Sequence, residues 1–136
     1  MVLDIKTLAV ANISVQVALI IVVFIAAFIA RKSDFKKHCT IMRVLLPLQI
    51  ISIVGVMLPS MLGYLENEQP AILFNIEVLI HHTLGLAVVA LWVYVNLALR
   101  GVIKTWGRMV IAMRMAFTLW VLTFLIGLHL YLVIWT

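Results

Sequence analysis

Two adjacent histidines, His81 and His82, interrupt the apolar run IEVLIHHTLGLAVV at residues 76–89. A third, His129, sits in LIGLHLYL near the chain end, and a fourth, His38, in KKHCTIM. Neutral imidazole is a ligand for haem iron and for copper. Two imidazoles on facing helices are what a helical bundle needs to clamp an iron porphyrin. Adjacent helical residues diverge by about 100°, so only one of His81 and His82 can serve a given iron. His82 shares a face with Gly85, which leaves room for a flat macrocycle. His81 lies one turn after Glu77, a carboxylate able to brace an imidazole or relay a proton. His38, Cys39 and Met42 form a separate group of copper-compatible ligand types.

The elements that must position these groups follow from composition. The chain has 136 residues, of which 66% are hydrophobic and 11% charged. A domain this small cannot hide that much apolar side chain from water, so the bilayer is its expected solvent. Four apolar runs reach the roughly 20 residues a helical span needs. They are Thr7 to Ala30, Ile41 to Tyr64, Phe74 to Leu99 and Met115 to Trp135. Helices are expected because in lipid the backbone must satisfy itself, and the runs lack barrel-type alternation. The first run can span, and its basic residues follow it, so it reads as a span rather than a cleaved signal peptide. Short connections and no internal boundary predict one all-α domain over residues 1–136, an antiparallel four-helix bundle of up-down-up-down order.

Net charge is +5, but the basic residues sit in two short loops, which points to a membrane surface and not to nucleic acid. Arg31, Lys32, Lys36, Lys37 and Arg43 flank the first connection, and Arg100, Lys104, Arg108 and Arg114 the third. The second connection carries Glu66 and Glu68 and no basic residue. The positive-inside rule then places the basic loops in the cytoplasm and both termini outside, in a plasma membrane. Arg108 and Arg114 are expected to meet lipid phosphates. Cys39 is the one cysteine, so an intramolecular disulfide is impossible.

In a bundle within lipid, polar and small residues mark the inward faces. His38, Leu45, Gln49, Ser52, Val56, Pro59 and Gly63 form one stripe of the second span. Asn12 and Gln16 share a face of the first, with interhelical hydrogen bonding the simplest role for these amides and Ser52. His82, Gly85, Val89 and Asn96 share a face of the third span, and Met115, Thr118, Leu122, Leu125 and His129 one of the fourth. Depth connects the third and fourth spans. His81 and His82 lie a few residues inside the outer end of one, His129 six residues before Trp135 at the outer end of the other. At about 1.5 Å per residue both lie roughly 10 Å from the outer surface. The expectation is a b-type haem ligated by His82 and His129, with His81 as the alternate ligand and Gly85 and Leu125 against the ring. Electron transfer or haem handling would follow. His38 lies a membrane thickness away from His129 and cannot ligate the same iron. It is left as an interfacial residue, a less favoured open-sided haem or metal ligand, or part of a copper site.

Other classes are weaker. The first span has no membrane-embedded acid, which argues against a small multidrug exporter. Asp4, Asp34, Glu66, Glu68 and Glu77 form no paired constellation with a nucleophile, so hydrolytic catalysis is not expected.

The stretches KKHCTIMRVLL, LIHHTLGLAVVALWVYVNLALRG and RMAFTLWVLTFLIGLHLYL carry a family likeness. Over roughly Lys36 to Leu132 the chain resembles the four-helix membrane family numbered four hundred and twenty among the domains of unknown function. His38, His81 or His82, Arg100–Gly101, Arg114, Trp120 and Gly127 carry the resemblance. Some bacterial members are implicated in maturation of haem–copper cytochrome oxidase. The resemblance therefore implies a non-redox assembly factor that binds an oxidase subunit or a metallochaperone.

Overall fold

The computed structural model of the chain describes residues 5–59, 62 and 72–135, with Ile5 and Phe74 in backbone only. Asp4, Gly63, Tyr64, Glu66 and Glu68, used in the sequence reading, lie outside the described residues. Helix α1 spans Ile5–Arg31, α2 Phe35–Ser52, α3 Ile72–Leu99 and α4 Met109–Trp135. A π-helical turn, Ile53–Met57, continues α2. Among the described residues, four helical segments are long and apolar enough to cross a membrane: Lys6–Arg31, Phe35–Met57, Asn75–Leu99 and Met109–Trp135.

Two of these begin about a turn or more before the expected span. Asp34 explains the earlier start of α2: its carboxylate accepts a hydrogen bond from the Lys37 backbone N–H at 3.2 Å. That caps a donor the helix cannot satisfy itself, and lets Lys36 and Lys37 form the first turn. Before α4, Gly107 takes a left-handed conformation (φ +72°), which a residue without Cβ adopts at no steric cost. Pro47 lies inside α2 and has no N–H to donate.

The contacts gather in two compact units, Met1–Glu68 and Gln69–Thr136, because each helix packs mainly on its sequence neighbour. In the first unit, α1 buries Gln16, Leu19, Val23 and Ala26, a single helical stripe. Opposite it, α2 buries Leu45, Gln49 and Ser52. The amide of Gln16 donates to Gln49 Oε1 at 2.9 Å and to Ser52 Oγ at 3.1 Å. Ser52 Oγ donates to Asn12 Oδ1 at 2.7 Å. Nearer the loop, His38 Nδ1 donates to the Ala26 carbonyl at 2.8 Å. The stripe expected for α2 is thus its buried face from His38 to Ser52, while Pro59 is exposed.

In the second unit, α3 buries Val78, Val88, Trp92, Val95 and Ala98, and α4 buries Ala116, Trp120, Thr123 and Leu130. Trp92 and Trp120 meet edge to face with centroids 4.8 Å apart, the arrangement their ring quadrupoles favour. The α4 stripe expected to point inward is not the face that packs on α3. Met115, Thr118, Leu122, Leu125 and His129 are all exposed. Small and polar residues, Ala116, Thr123 and Gly127, make the packing face because they let the helix backbones approach.

The amide network predicts a clear contrast in stability. Gln16→Leu should destabilise the protein in bicelles by about 1 kcal/mol, since it orphans buried acceptors on α2. Ser14→Ala should have no measurable effect, because exposed Ser14 bonds only its own helix at Val10 O. Equal effects of the two in a denaturant titration would contradict the network's role.

Candidate functional site

The histidine-bearing part of the second unit is built around one interlock. His81 Nδ1 lies 2.9 Å from the carbonyl oxygen of Thr123 on α4. One turn further along α4, Gly127 faces the same ring, and a Cβ built there would stand 2.6 Å from His81 Cε1. Real Cβ atoms do not approach that closely, so glycine at position 127 makes the notch that receives the imidazole. Thr123 and Gly127 are four residues apart, a small-xxx-small pair of the kind that packs helices in lipid. Neither was assigned a role from chemistry in the sequence; that spacing was the signal available.

One turn before His81 on α3, Glu77 reaches across to α4. Its Oε1 lies 2.5 Å from His129 Nδ1. Glu77 therefore braces His129 and not His81, correcting the expectation drawn from their spacing on α3. The side chain of His129 is 62% exposed and that of Glu77 28%, so the pair sits at the edge of the hairpin. His82 turns back on its own helix and bonds the Val78 carbonyl through Nδ1 at 2.8 Å. The His81 and His82 rings meet edge to face at 5.4 Å.

A carbonyl oxygen can only accept, so the Nδ1 atoms of His38, His81 and His82 must carry hydrogen. In the neutral ring this leaves the lone pair on Nε2, the atom that would ligate a metal. Binding through one nitrogen while the other donates to a carbonyl or carboxylate is the usual arrangement of a ligating histidine. Among the described residues, no group of three or more His, Cys, Asp and Glu side chains could hold a metal ion. No family model, curated protein or solved structure matches this chain.

The structure does not bring His82 and His129 together. His129 is level with Glu77, and His82 lies five residues further along α3, about 7.5 Å along the helix axis. The expected match in depth is off by more than a turn, because α4 meets α3 in a register that span ends alone do not reveal. Direction separates the two further. At about 100° per residue, Glu77 lies roughly 40° to one side of His81 and His82 about 100° to the other. His81 points at α4 and Glu77 meets His129, so His82 and His129 occupy opposite flanks of this hairpin. A single iron clamped by that pair does not fit the unit. His81 is a poor alternate ligand, since its ring fills the Gly127 notch. Gly85 is half-buried on the side of α3 that His82 faces, and Leu125 lies on the exposed face of α4. His38 is half-buried in the other unit and tied to Ala26, and Cys39 beside it is a free, half-buried thiol.

The interlock yields a double-mutant prediction. Gly127→Ala should destabilise the protein by about 1–3 kcal/mol by overpacking the ring. In a His81→Ala background the same change should cost much less, as read by thermal or denaturant unfolding. An equal cost in both backgrounds would show that the ring does not occupy the notch.

Proposed function

We propose that this is a multi-pass membrane haem protein in which the His82 imidazole would hold the haem iron. The observation that carries the proposal is the state of His82: an intramembrane imidazole whose Nδ1 proton is committed to Val78 O, leaving the Nε2 lone pair for a ligand. Ionisable groups inside spans are functional candidates by default. The Nδ1 bond would hold the ring orientation and raise the donor strength of Nε2. Gly85, three residues on, would let a flat ring approach the backbone of α3. The iron would supply the redox chemistry. With one ligand from this hairpin, handling or transfer of haem suits the site better than bis-histidine electron transfer.

The wider arrangement belongs to the same reading. The four spans form an up-down-up-down bundle in the plasma membrane, with the basic loops cytoplasmic and both termini outside. His82 then lies in the outer half. A respiratory oxidase subunit is the proposed recipient or neighbour, on the strength of the family resemblance.

Haem titration of the purified protein, followed by absorption, tests this. The wild type should give a Soret band with a high-spin, carbon-monoxide-reactive ferrous form. His82→Ala should weaken haem binding by more than about 100-fold, while His129→Ala should leave it largely intact. Loss of the band in His129→Ala, or its retention in His82→Ala, would overturn the ligand choice. A protein that takes up no haem, yet whose deletion lowers oxidase activity, would favour a non-redox assembly factor.

A further inference from the structure

We propose that the connection between α3 and α4 forms a binding site for one anionic phospholipid. The connection does not hang free. The Tyr94 hydroxyl accepts a hydrogen bond from the Trp106 backbone N–H at 2.7 Å and donates to the Trp106 carbonyl at 3.3 Å. Two bonds to the backbone of one residue fold the loop back against α3. Beneath it lies a cleft of about 600 Å³. Leu91, Ile111 and Met115 line its apolar part, and Lys104 and Arg108 its charged part.

Charge and position select the occupant. Residues 91–115 include Arg100, Lys104, Arg108 and Arg114 and not one acid, so the bound group is anionic. The first turn of α4 also carries no acidic side chain, which leaves the positive end of its dipole for an outside anion. The cleft sits where α3 ends and α4 begins, at the level of lipid headgroups for helices that span. Val102 and Trp106 are 66% and 82% exposed, and an exposed indole beside basic residues is the usual composition of a membrane interface. A free phosphate would use the basic rim and leave the apolar lining unexplained. A phospholipid uses both: its phosphate meets Lys104 and Arg108, and an acyl chain lies along Leu91, Ile111 and Met115. Generic attraction of basic loops to anionic leaflets needs no cleft; the latched loop makes a discrete site.

The test uses the full chain in phosphatidylcholine vesicles, with acyl-brominated phosphatidylglycerol as quencher of indole emission. Comparison with Trp106→Phe isolates the Trp106 signal. Its quenching should saturate at a mole fraction of brominated phosphatidylglycerol several-fold below that needed with brominated phosphatidylcholine. Millimolar inorganic phosphate should not reverse it. The double variant Lys104→Gln, Arg108→Gln should lose the preference, and Tyr94→Phe should weaken it several-fold by freeing the loop. Equal quenching by the two lipids, or a preference unchanged in the double variant, would overturn the proposal. Reversal by phosphate would assign the site to a free anion and overturn the choice of lipid. Should the double variant fail to fold, native mass spectrometry of the wild type decides: one phosphatidylglycerol retained per chain supports the site, and none refutes it.

Discussion

Hydrocarbon offers no hydrogen bonds, and an unmet polar group within it costs several kcal/mol. Helices built for that solvent have one acceptor to spare at every peptide, because a carbonyl engaged in the helix ladder keeps a second lone pair. His38, His81 and His82 each use one, on Ala26, Thr123 and Val78. Among the described residues no buried side-chain nitrogen or oxygen lacks a partner. The constraint does more than prevent loss. An acceptor-only partner decides which ring nitrogen carries the proton, and so which one keeps a lone pair for other chemistry.

The two hairpins meet the same constraint with different groups. The first joins its helices mainly by a line of amides and a hydroxyl from Asn12 through Ser52 and Gln16 to Gln49, with one imidazole bond, His38 to Ala26, nearer the loop. The second joins its helices through imidazole, at His81 with Thr123 and at His129 with Glu77. Imidazole bonded at Nδ1 still has Nε2. Within α3 and α4, His82 is the histidine whose polar bond stays on its own helix.

Much of the fold was legible because a span needs about 20 apolar residues and the chain has four such runs. The buried face of α2 was legible too, since Gln49 and Ser52 stand out in an apolar stripe. The face of α4 was not. His129 was taken to mark the interior, as polar residues in spans often do, yet its bond to Glu77 holds it at the edge. Ala116, Thr123 and Gly127 mark the packing face, and their small size is a quieter signal than a charge. Depth measured from span ends also misled, because register between helices is set by notches such as Gly127 and not by where hydrophobicity stops. The doubled histidine remained ambiguous for the same reason. Only the notch tells that His81 faces α4, and that His82 is left on the flank away from His129.

The most direct measurement of this account is nitrogen NMR of the protein labelled with ¹⁵N at its histidine rings, without added haem or metal, at a pH where the rings are neutral. His38, His81 and His82, assigned by single substitutions, should each show a protonated Nδ1 and an Nε2 with the shift of an unprotonated ring nitrogen. A predominant Nε2–H form at His82 would contradict the hydrogen bond to Val78, and with it the claim that this residue keeps a lone pair for a ligand.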